Sequence, residues 1–382
     1  MPVKLSIGVA VYNVRENFLR ECIKNIKKQL TDETELLLIN DCSTDNSGDI
    51  CKEYAEEDSR IRYINMEKNG GLSVVRNRTI SEAEGEWIFF ADGDDILSDH
   101  FIETALSFCD TDYDIIIHDR EIFSGEKGTE KACSVTKLTP LPKEAGREIS
   151  LSCLCLKPFC PEKYGMTSDA YYHAAWGALY RREFLIGNDL KFPVGQKKAQ
   201  DSVFNTYAYF CAEKIAYLPY KMYYYRKDMQ GITQRYSADF TKMIMSLLQH
   251  HFKCIESLYN NDDEIKKIYK NNRVMTFVLD AMRLNFFHKD NKNPRKIRKA
   301  EFISFINTEP FKSAVDEFDL NGCDWWGWRL PIKYAKKKNF DALEFAFKYD
   351  KLFRIYGGLN SRFGKVFRII AGNRQKRKNF LS

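Results

Sequence analysis

Three carboxylates follow the short apolar run "EWIFFA" (residues 86–91): Asp92, Asp94 and Asp95. Carboxylates this close repel one another, and burying them without partners costs free energy. A bound cation is the simplest compensation, and oxygen ligands favour a hard ion such as Mg²⁺ or Mn²⁺. Because proteins usually bind Mg²⁺ through one or two carboxylates plus substrate phosphates, the cluster indicates a metal-diphosphate site. An acidic surface turn that caps the next helix (residues 98–108) is the alternative.

Other cation and nucleotide motifs are absent from the sequence. Neither "DGDDILSDHFIE" nor "DCSTDNSGDICK" has the Gly that the sixth position of an EF-hand loop requires. No Walker A loop and no G-x-G-x-x-G follows the first apolar run, which disfavours P-loop NTPases and dinucleotide-dependent enzymes. Cys153, Cys155 and Cys160 form a C-x-C-x₄-C pattern without a clear fourth ligand, which disfavours zinc.

The elements around the carboxylates alternate between strands and helices. The patterns predict strands at residues 5–12, 34–40, 61–66, 86–91 and 112–118. They predict helices at 16–30, 43–58 and 71–85, with Ser43 or Thr44 near the N-cap of the second helix and Gly85 ending the third at its C′ position. This β-α-β order is typical of an α/β fold with a mostly parallel sheet, whose ligand site lies beyond the carboxyl ends of the strands.

Polar residues follow three of these strands, so we expect them at one edge of the sheet. Tyr12 and Asn13 come after the first strand, Asp41 after the second, and the three aspartates after the fourth. The sequence thus predicts that a ligand binds where they converge.

Composition is that of a protein with a large core. The chain has 382 residues, 44% of them hydrophobic, and a net charge of +6. Its eleven cysteines lack paired spacing, and neither a leader nor an 18-residue apolar stretch is present. These features predict a cytoplasmic protein with free thiols.

Three segments resemble, in order, the signatures of glycosyltransferase family 2: "SIGVAVYN" (6–13), "LLLINDCSTDNS" (36–47) and "NGGLSVVRNRTISEAEGEWIFFADGDD" (69–95). The resemblance implies the GT-A fold and an inverting enzyme that uses a nucleotide-sugar and Mn²⁺ or Mg²⁺. It also implies site residues. Nucleotide contacts fall on Ala10, Tyr12, Asn13, Asp41, Arg76, Asp92 and Gly93, with Asp92 toward the ribose, and the metal contact falls on Asp94.

The resemblance continues in three later segments: "AAWGALYRREFL" (174–185), "AQDSVFNTYAYF" (199–210) and "YYYRKDMQGIT" (223–233). It implies that Asp201 is the general base that takes the proton of the acceptor hydroxyl. From the sequence alone Asp201 is equally an N-cap of the following helix. Gln200 and Gly231 depart from the family pattern, which more often has Glu and Ser there.

Three further residues are candidates for ligand contacts. Arg226 and Thr233 could cover the diphosphate, because a guanidinium pairs well with phosphate, and the alternative is an exposed loop. Trp176 could form an apolar platform for a sugar ring, and core packing is the alternative.

The chain after residue 238 changes to helical periodicity. His250 and His251 lie there, and we expect them at a surface or an interface. The last segment, residues 351–382, has nine Lys or Arg and no Asp or Glu, mixed with bulky apolar residues. This composition favours contact with an anionic membrane surface. A helical lid or a homo-oligomer contact with solvated charges is the alternative, and liposome flotation of the full chain against a truncation at Asp350 distinguishes them.

Together these patterns predict two regions. Residues 1–238 are expected to form the GT-A domain, with a nucleotide-binding half (1–125) and an acceptor half (126–238), and residues 239–382 a helical region with the basic-aromatic tail. The expected activity is transfer of a sugar, from a UDP-sugar by preference, to a saccharide or lipid-linked saccharide in surface polysaccharide assembly. The alternatives are a nucleotidyltransferase and an inactive relative that binds glycan or nucleotide. No nucleic-acid-binding motif is present.

Overall fold

The computed structural model of the chain describes residues 2–125, 137–227, 235–320 and 326–349, without the side chains of residues 326–328. The chain divides into two compact units. The first is Met1–Gly231 with Met245–Lys266, and the second is Ile232–Ile244 with Lys267–Ser382. Residue 238, the predicted domain boundary, falls in the segment 232–244 that groups with the second unit, whereas the chain after it returns to the first.

The first unit contains a mixed sheet of nine strands. The strands are β1 Leu5–Val11, β2 Thr34–Asn40, β3 Ile61–Asn65, β4 Trp87–Asp92, β5 Ile96–Leu97, β6 Ile115–Phe123, β7 Thr139–Leu141, β8 Ala178–Arg181 and β9 Ile215–Arg226. Their order is β3-β2-β1-β4-β8-β6-β9-β5, and β7 also pairs with β9. β1, β2, β3 and β4 are parallel, as is the β6-β9 pair, whereas β8 runs antiparallel to both of its neighbours.

Helices cover the sheet on both faces. Those of the first unit are α1 Glu16–Lys27, α2 Ser47–Glu57, α3 Leu72–Glu82, α4 Phe101–Leu106, α5 Lys143–Cys155, α6 Arg182–Gly187 and α7 Gln200–Cys211. The central strands do not alternate between apolar and polar residues because both of their faces are buried: β2 is buried at all seven positions. Two separate apolar clusters result, one on each face. The predicted α/β fold with a mostly parallel sheet is confirmed.

Two predicted helix ends were wrong. α2 begins at Ser47 after Asn46, and not near Ser43 or Thr44, because those two residues form hydrogen bonds with Asn13 across the loop. α3 ends at Glu82, so Gly85 does not follow its last turn. A Cβ at Gly85 would lie 2.6 Å from the backbone nitrogen of Ser6, so the glycine permits close approach to β1 instead.

The remaining helices are α8 Phe240–Tyr259, α9 Asp263–Tyr269, α10 Met275–Ala281, α11 Arg295–Ile306, α12 Phe311–Glu317, α13 Trp326–Lys336 and α14 Phe340–Lys348. π-helical turns at Lys270–Val274 and Met282–Phe286 flank α10. Phenylalanine rings dominate the packing in the second unit, for example Phe286 against Phe302 at 5.5 Å. The predicted helical C-terminal region is confirmed, whereas the basic tail, residues 351–382, lies outside the described residues.

In the described parts of the chain, no helix combines the length and the apolar composition that crossing a membrane requires. The nine cysteines in those parts are all free thiols.

Candidate active site

The carboxyl ends of the parallel strands bring the predicted residues to one edge. β1 lies between β2 and β4, with Val11 opposite Asn40 and Ala10 opposite Asp92. The residues that follow each strand therefore emerge side by side, as the β-α-β pattern predicted.

Asp41 fixes the turn that begins α3. Its two carboxylate oxygens accept hydrogen bonds from the backbone N–H groups of Gly70 and Gly71 at 2.7 and 2.8 Å. Gly71 has φ = +81°, a conformation that L side chains rarely adopt. The Asp41 carbonyl also accepts a hydrogen bond from the Asn69 side chain. Asp41 is thus buried at the predicted edge, where its first task is to support this turn.

Asn13 joins the loops after β1 and β2. It has φ = +48°, which Asn tolerates better than most residues. Its backbone N–H donates to Ser43 Oγ at 3.1 Å, and its Oδ1 accepts from the Thr44 N–H at 2.8 Å. Tyr12 beside it is 50% exposed. The exposed phenol ring beside a rigid loop is consistent with the predicted contact to a planar base.

Arg76 connects the two halves of the site. Its side chain projects from α3 and is 3% exposed, so its charge needs partners. One terminal nitrogen donates to Asp92 Oδ1 at 3.1 Å and the other donates to Asp201 Oδ1. The guanidinium also lies 5.4 Å from the ring centroid of Phe192. Residues 125 positions apart in the sequence, Arg76 and Asp201, are therefore directly paired.

The electrostatic environment of Asp201 is that of a carboxylate poised to accept a proton. Burial raises the pKa of the Asp201 carboxyl above its usual value, Arg76 opposes the rise, and the Asp92 charge adds to it. A carboxylate with a raised pKa is a stronger base while it remains ionised near neutral pH. Asp201 is the second residue of α7, after the N-cap Ala199, so the N-cap alternative was wrong.

The three aspartates after β4 have different environments. Asp95 is buried, and its carboxylate accepts hydrogen bonds from the Tyr223 hydroxyl at 2.6 Å and the Arg226 N–H at 2.7 Å. The same Tyr223 hydroxyl accepts from the Asp92 N–H at 3.2 Å. Burial and the neighbouring carboxylates raise the pKa of Asp95 well above its usual value. Asp95 therefore fixes the shape of the turn, which leaves Asp94 exposed.

Gly93 allows this turn to pass close to β1. Its N–H donates to the Ala10 carbonyl at 3.2 Å, and a Cβ at Gly93 would lie only 3.1 Å from that oxygen. The predicted nucleotide-binding residues Ala10 and Gly93 are thus adjacent through their backbones.

Arg226 does not cover the site as predicted. Its side chain is 7% exposed and lies between the rings of Phe18 and Phe123, 4.3 and 4.6 Å from their centroids. Nε donates to the Asp94 carbonyl at 2.9 Å, and a terminal nitrogen pairs with Glu21 at 2.7 Å. The guanidinium is already satisfied by protein groups, so it positions the backbone of Asp94. Thr233, the other predicted contact, lies outside the described residues.

Replacing Arg226 with Gln should weaken the predicted Mn²⁺-dependent binding of UDP by about tenfold, because loss of a charge-assisted hydrogen bond frees the Asp94 backbone. Isothermal titration calorimetry with UDP, with and without Mn²⁺, measures the effect. Lys221→Gln is the control, since Lys221 is on the same strand and forms an exposed ion pair with Glu121. Equal UDP affinity in the Arg226 variant and this control would contradict the positioning role.

Trp176 belongs to the core and not to an open sugar platform. It is 5% exposed, and its ring stacks between Tyr171 at 5.0 Å and Tyr223 at 4.5 Å. The core-packing alternative is what the structure shows, because aromatic rings already cover both faces of the indole.

Two side chains whose contacts the sequence did not predict link other elements to the segments that flank Asp201. Asn77 exchanges two hydrogen bonds with the backbone of Phe192, at 2.9 and 2.8 Å, and so ties α3 to the segment before α7. His251 is buried, and its Nε2 lies 2.9 Å from Ser202 Oγ, next to Asp201. His251 was expected at a surface or an interface, and it is buried where α8 packs against α7.

The carboxylate oxygens near Asp94 suit a hard divalent ion that is also coordinated by a bound ligand. Asp94 is exposed, and Asp92 is partly exposed with one oxygen on Arg76. No group of three or more acidic, His or Cys side chains in the described parts of the chain could bind a metal alone. One or two carboxylates plus ligand phosphates fit Mg²⁺ or Mn²⁺.

Residues 6–172 match the family model "Glycosyl transferase family 2". This part of the chain belongs to glycosyltransferase family 2. The match includes β1 to β6 and the aspartate turn, and Asp201 lies beyond it.

Relatives of the family 2 domain occur in bacteria. EpsH of Bacillus subtilis (strain 168) is 32% identical over 235 residues, which are 61% of this chain and 63% of EpsH. The poly(ribitol-phosphate) beta-N-acetylglucosaminyltransferase TarS of Staphylococcus aureus (strain Mu50) is 28% identical over 232 residues, 60% of this chain and 36% of TarS. The chain therefore spans less than two thirds of the length of either relative.

Solved structures confirm the GT-A fold. The crystal structure of S. aureus TarS 1–349 in complex with UDP-GlcNAc superposes with a TM-score of 0.58, covering 91% of this chain and 92% of that one at 19% identity. The similarity includes most of the described residues, and at this identity it establishes the fold.

Proposed function

We propose that the chain is a metal-dependent, inverting glycosyltransferase that transfers a sugar from a nucleotide-sugar to a saccharide or lipid-linked saccharide. The observation that carries this proposal is the Arg76 bridge. One guanidinium joins Asp92, at the nucleotide edge, to Asp201, at the start of the acceptor-side helix. The residue proposed to contact the sugar donor and the residue proposed to act on the acceptor therefore both pair with one side chain.

Asp201 acts as the base in this proposal. Transfer requires that the acceptor hydroxyl lose its proton as its oxygen attacks the anomeric carbon. Asp201 Oδ1 accepts a hydrogen bond from Arg76, so we propose that the second carboxylate oxygen, Oδ2, accepts the proton of the acceptor hydroxyl. A direct displacement with one base inverts the anomeric centre.

Asp94 and Asp92 would bind Mn²⁺ or Mg²⁺, which as a Lewis acid neutralises the charge of the leaving diphosphate. The chain's own contribution is to fix the Asp94 backbone through Arg226 and the Asp92 N–H through Tyr223. Asp41, Tyr12 and Asn13 are proposed to bind the base, because they lie at the same edge.

A UDP-sugar is the proposed donor, in cell-surface polysaccharide assembly. TarS, which shares the fold, was crystallised with UDP-GlcNAc and also with UDP. TarS is named for transfer to poly(ribitol-phosphate), and the B. subtilis relative GgaB is named a minor teichoic acid biosynthesis protein. These names support the donor base and the process; the membrane contact of residues 351–382 and a homo-oligomer stay predictions.

Incubation of the protein with Mn²⁺ and a panel of UDP-, GDP- and TDP-sugars should release nucleoside diphosphate from one donor. EDTA should abolish the release, and Asp94→Ala should lower it by at least about tenfold, equivalent to about 1.4 kcal/mol of activation free energy. Asp110→Ala is the matched control, since Asp110 is exposed near Lys4 at the opposite edge of the sheet.

If no donor is hydrolysed, the same panel is tested by Mn²⁺-dependent thermal shift, because an enzyme can require its acceptor before it turns over. The absence of both hydrolysis and metal-dependent nucleotide binding would contradict the proposed function.

A further inference from the structure

Arg120 has an environment unlike those of Arg76 and Arg226. It lies on β6 and is half-buried. Its guanidinium carbon lies 3.9 Å from the ring centroid of Tyr171 and 6.0 Å from that of Trp176. Within the described residues no carboxylate and no other hydrogen-bond acceptor contacts the Arg120 guanidinium. By contrast, Arg76 pairs with two carboxylates, and Arg226 pairs with Glu21 and the Asp94 carbonyl.

The position of Arg120 is next to the aspartate turn. Arg120 is directly opposite Tyr223 in the β6-β9 ladder. Tyr223 stacks on Trp176 at 4.5 Å and carries the hydroxyl that fixes Asp92 and Asp95. Three contacts therefore connect Arg120 to the turn that presents Asp94.

Electrostatics place Asp201 in the same neighbourhood. Burial raises the pKa of Tyr171; Arg120 lowers it and Asp201 raises it further. The ring under the Arg120 guanidinium is thus influenced by the proposed base as well. Asp92 and Asp201 both pair with Arg76, and neither carboxylate pairs with Arg120.

A half-buried guanidinium without a partner loses hydration and gains only the stacking contact in return. Stacking on Tyr171 also fixes the plane of the guanidinium, which leaves its N–H donors oriented for a planar, paired contact with a phosphate. These are the properties of an anion-binding arginine whose anion comes from a ligand.

We propose that Arg120 binds a phosphate group of the acceptor, so that the acceptor is a phosphate-bearing glycan or polyol. The diphosphate of the sugar donor is the alternative phosphate ligand for Arg120. We assign the acceptor because Arg120 lies over Tyr171 and near Trp176, two residues of the proposed acceptor half. Tyr171 also interacts electrostatically with Asp201, the proposed base. This inference rests on the proposed function.

Binding of a short, fluorescently labelled glycerol phosphate oligomer tests the proposal by anisotropy, with saturating UDP and Mn²⁺ and the full chain. Arg120→Gln should weaken oligomer binding by about ten- to hundredfold, since a charge-assisted contact is lost. Arg120→Lys should fall between the wild type and the Gln variant, because it retains charge without the planar fork. UDP affinity, measured in parallel by calorimetry, should be unchanged.

Arg147→Gln is the matched control. Arg147 is an exposed arginine on α5 that also stacks on an aromatic ring, at 4.6 Å from the centroid of Phe210. Equal weakening in the Arg120 and Arg147 variants would show diffuse attraction only and would overturn the site. Unchanged oligomer binding with weakened UDP binding would overturn the assignment to the acceptor and assign Arg120 to the donor diphosphate.

The oligomer measurement needs no turnover, so its failure is distinguishable from failure of the proposed function. Loss of oligomer binding in Arg120→Gln, together with normal donor hydrolysis, would support both the Arg120 site and the proposed function. If the wild type binds the phosphate oligomer no better than an uncharged polyol of the same length, the inference is wrong even if donor hydrolysis is observed.

Discussion

Asp201→Asn should lower kcat by about 10²- to 10⁴-fold, the usual contribution of a general base. Asn keeps the shape of the side chain and can still accept a hydrogen bond from Arg76, but it cannot take a proton. UDP binding should therefore remain within about twofold of wild type, because Asp201 contacts Arg76 and not the nucleotide edge. Single-turnover transfer with the donor found in the hydrolysis panel measures the chemical step.

The pH profile provides a second readout of the same residue. Because burial raises the pKa of Asp201, the wild-type rate should fall as the pH drops through that raised value, where the base becomes protonated. The residual rate of Asp201→Asn should not show this fall at low pH. Asp189→Asn is the control, since Asp189 is exposed and precedes the same helix. A kcat of the Asp201→Asn variant within tenfold of wild type would contradict the role of Asp201 as the general base.

Arg76→Met should both destabilise the fold and abolish transfer. Removing a buried cation leaves Asp92 and Asp201 facing each other without compensation, a change that usually costs 3–5 kcal/mol. Both carboxylates retain some exposure to solvent, so we expect a loss of about 2–4 kcal/mol at neutral pH. Urea denaturation monitored by circular dichroism measures it.

The pH dependence of this loss has a definite sign. Without Arg76 the pKa of Asp201 in the folded state rises further above its unfolded value, so the folded state binds a proton more readily than the unfolded one. Stability should therefore recover as the pH falls through the folded-state pKa. Arg76→Lys is the comparison, since it keeps the charge but not the two-pronged geometry. A deficit that stays constant from pH 8 to pH 5 would show that packing, and not charge, is what Arg76 contributes.

The sequence predicted the parts of the site that depend on order along the chain. Asp41, Asp92 and Asp94 follow apolar strands, and parallel strands carry such residues to one edge whatever the details of packing. Arg76 and Asp201 were identified by resemblance alone. Nothing in the local sequence shows that they pair, because their contact depends on where α3 and α7 pack.

Arg226, Trp176 and His251 show what a sequence pattern leaves open. Each residue type has both a ligand-binding and a packing use, and its neighbours in space decide between them. For Arg226 these neighbours are Phe18 and Glu21, more than 200 positions away. Arg120 was overlooked for the same reason: its significance lies in partners that it does not have within the described residues.

The short helix α3 imposes a rule on protein engineering. Its start is fixed by Asp41 through Gly70 and Gly71, and five residues later it presents Arg76 to two carboxylates and Asn77 to Phe192. One inserted or deleted residue between these points would turn the later side chains by about 100° around the helix axis. Chimaeras between this chain and its relatives should therefore be joined outside residues 69–77, since the spacing there is as restrictive as the residue types.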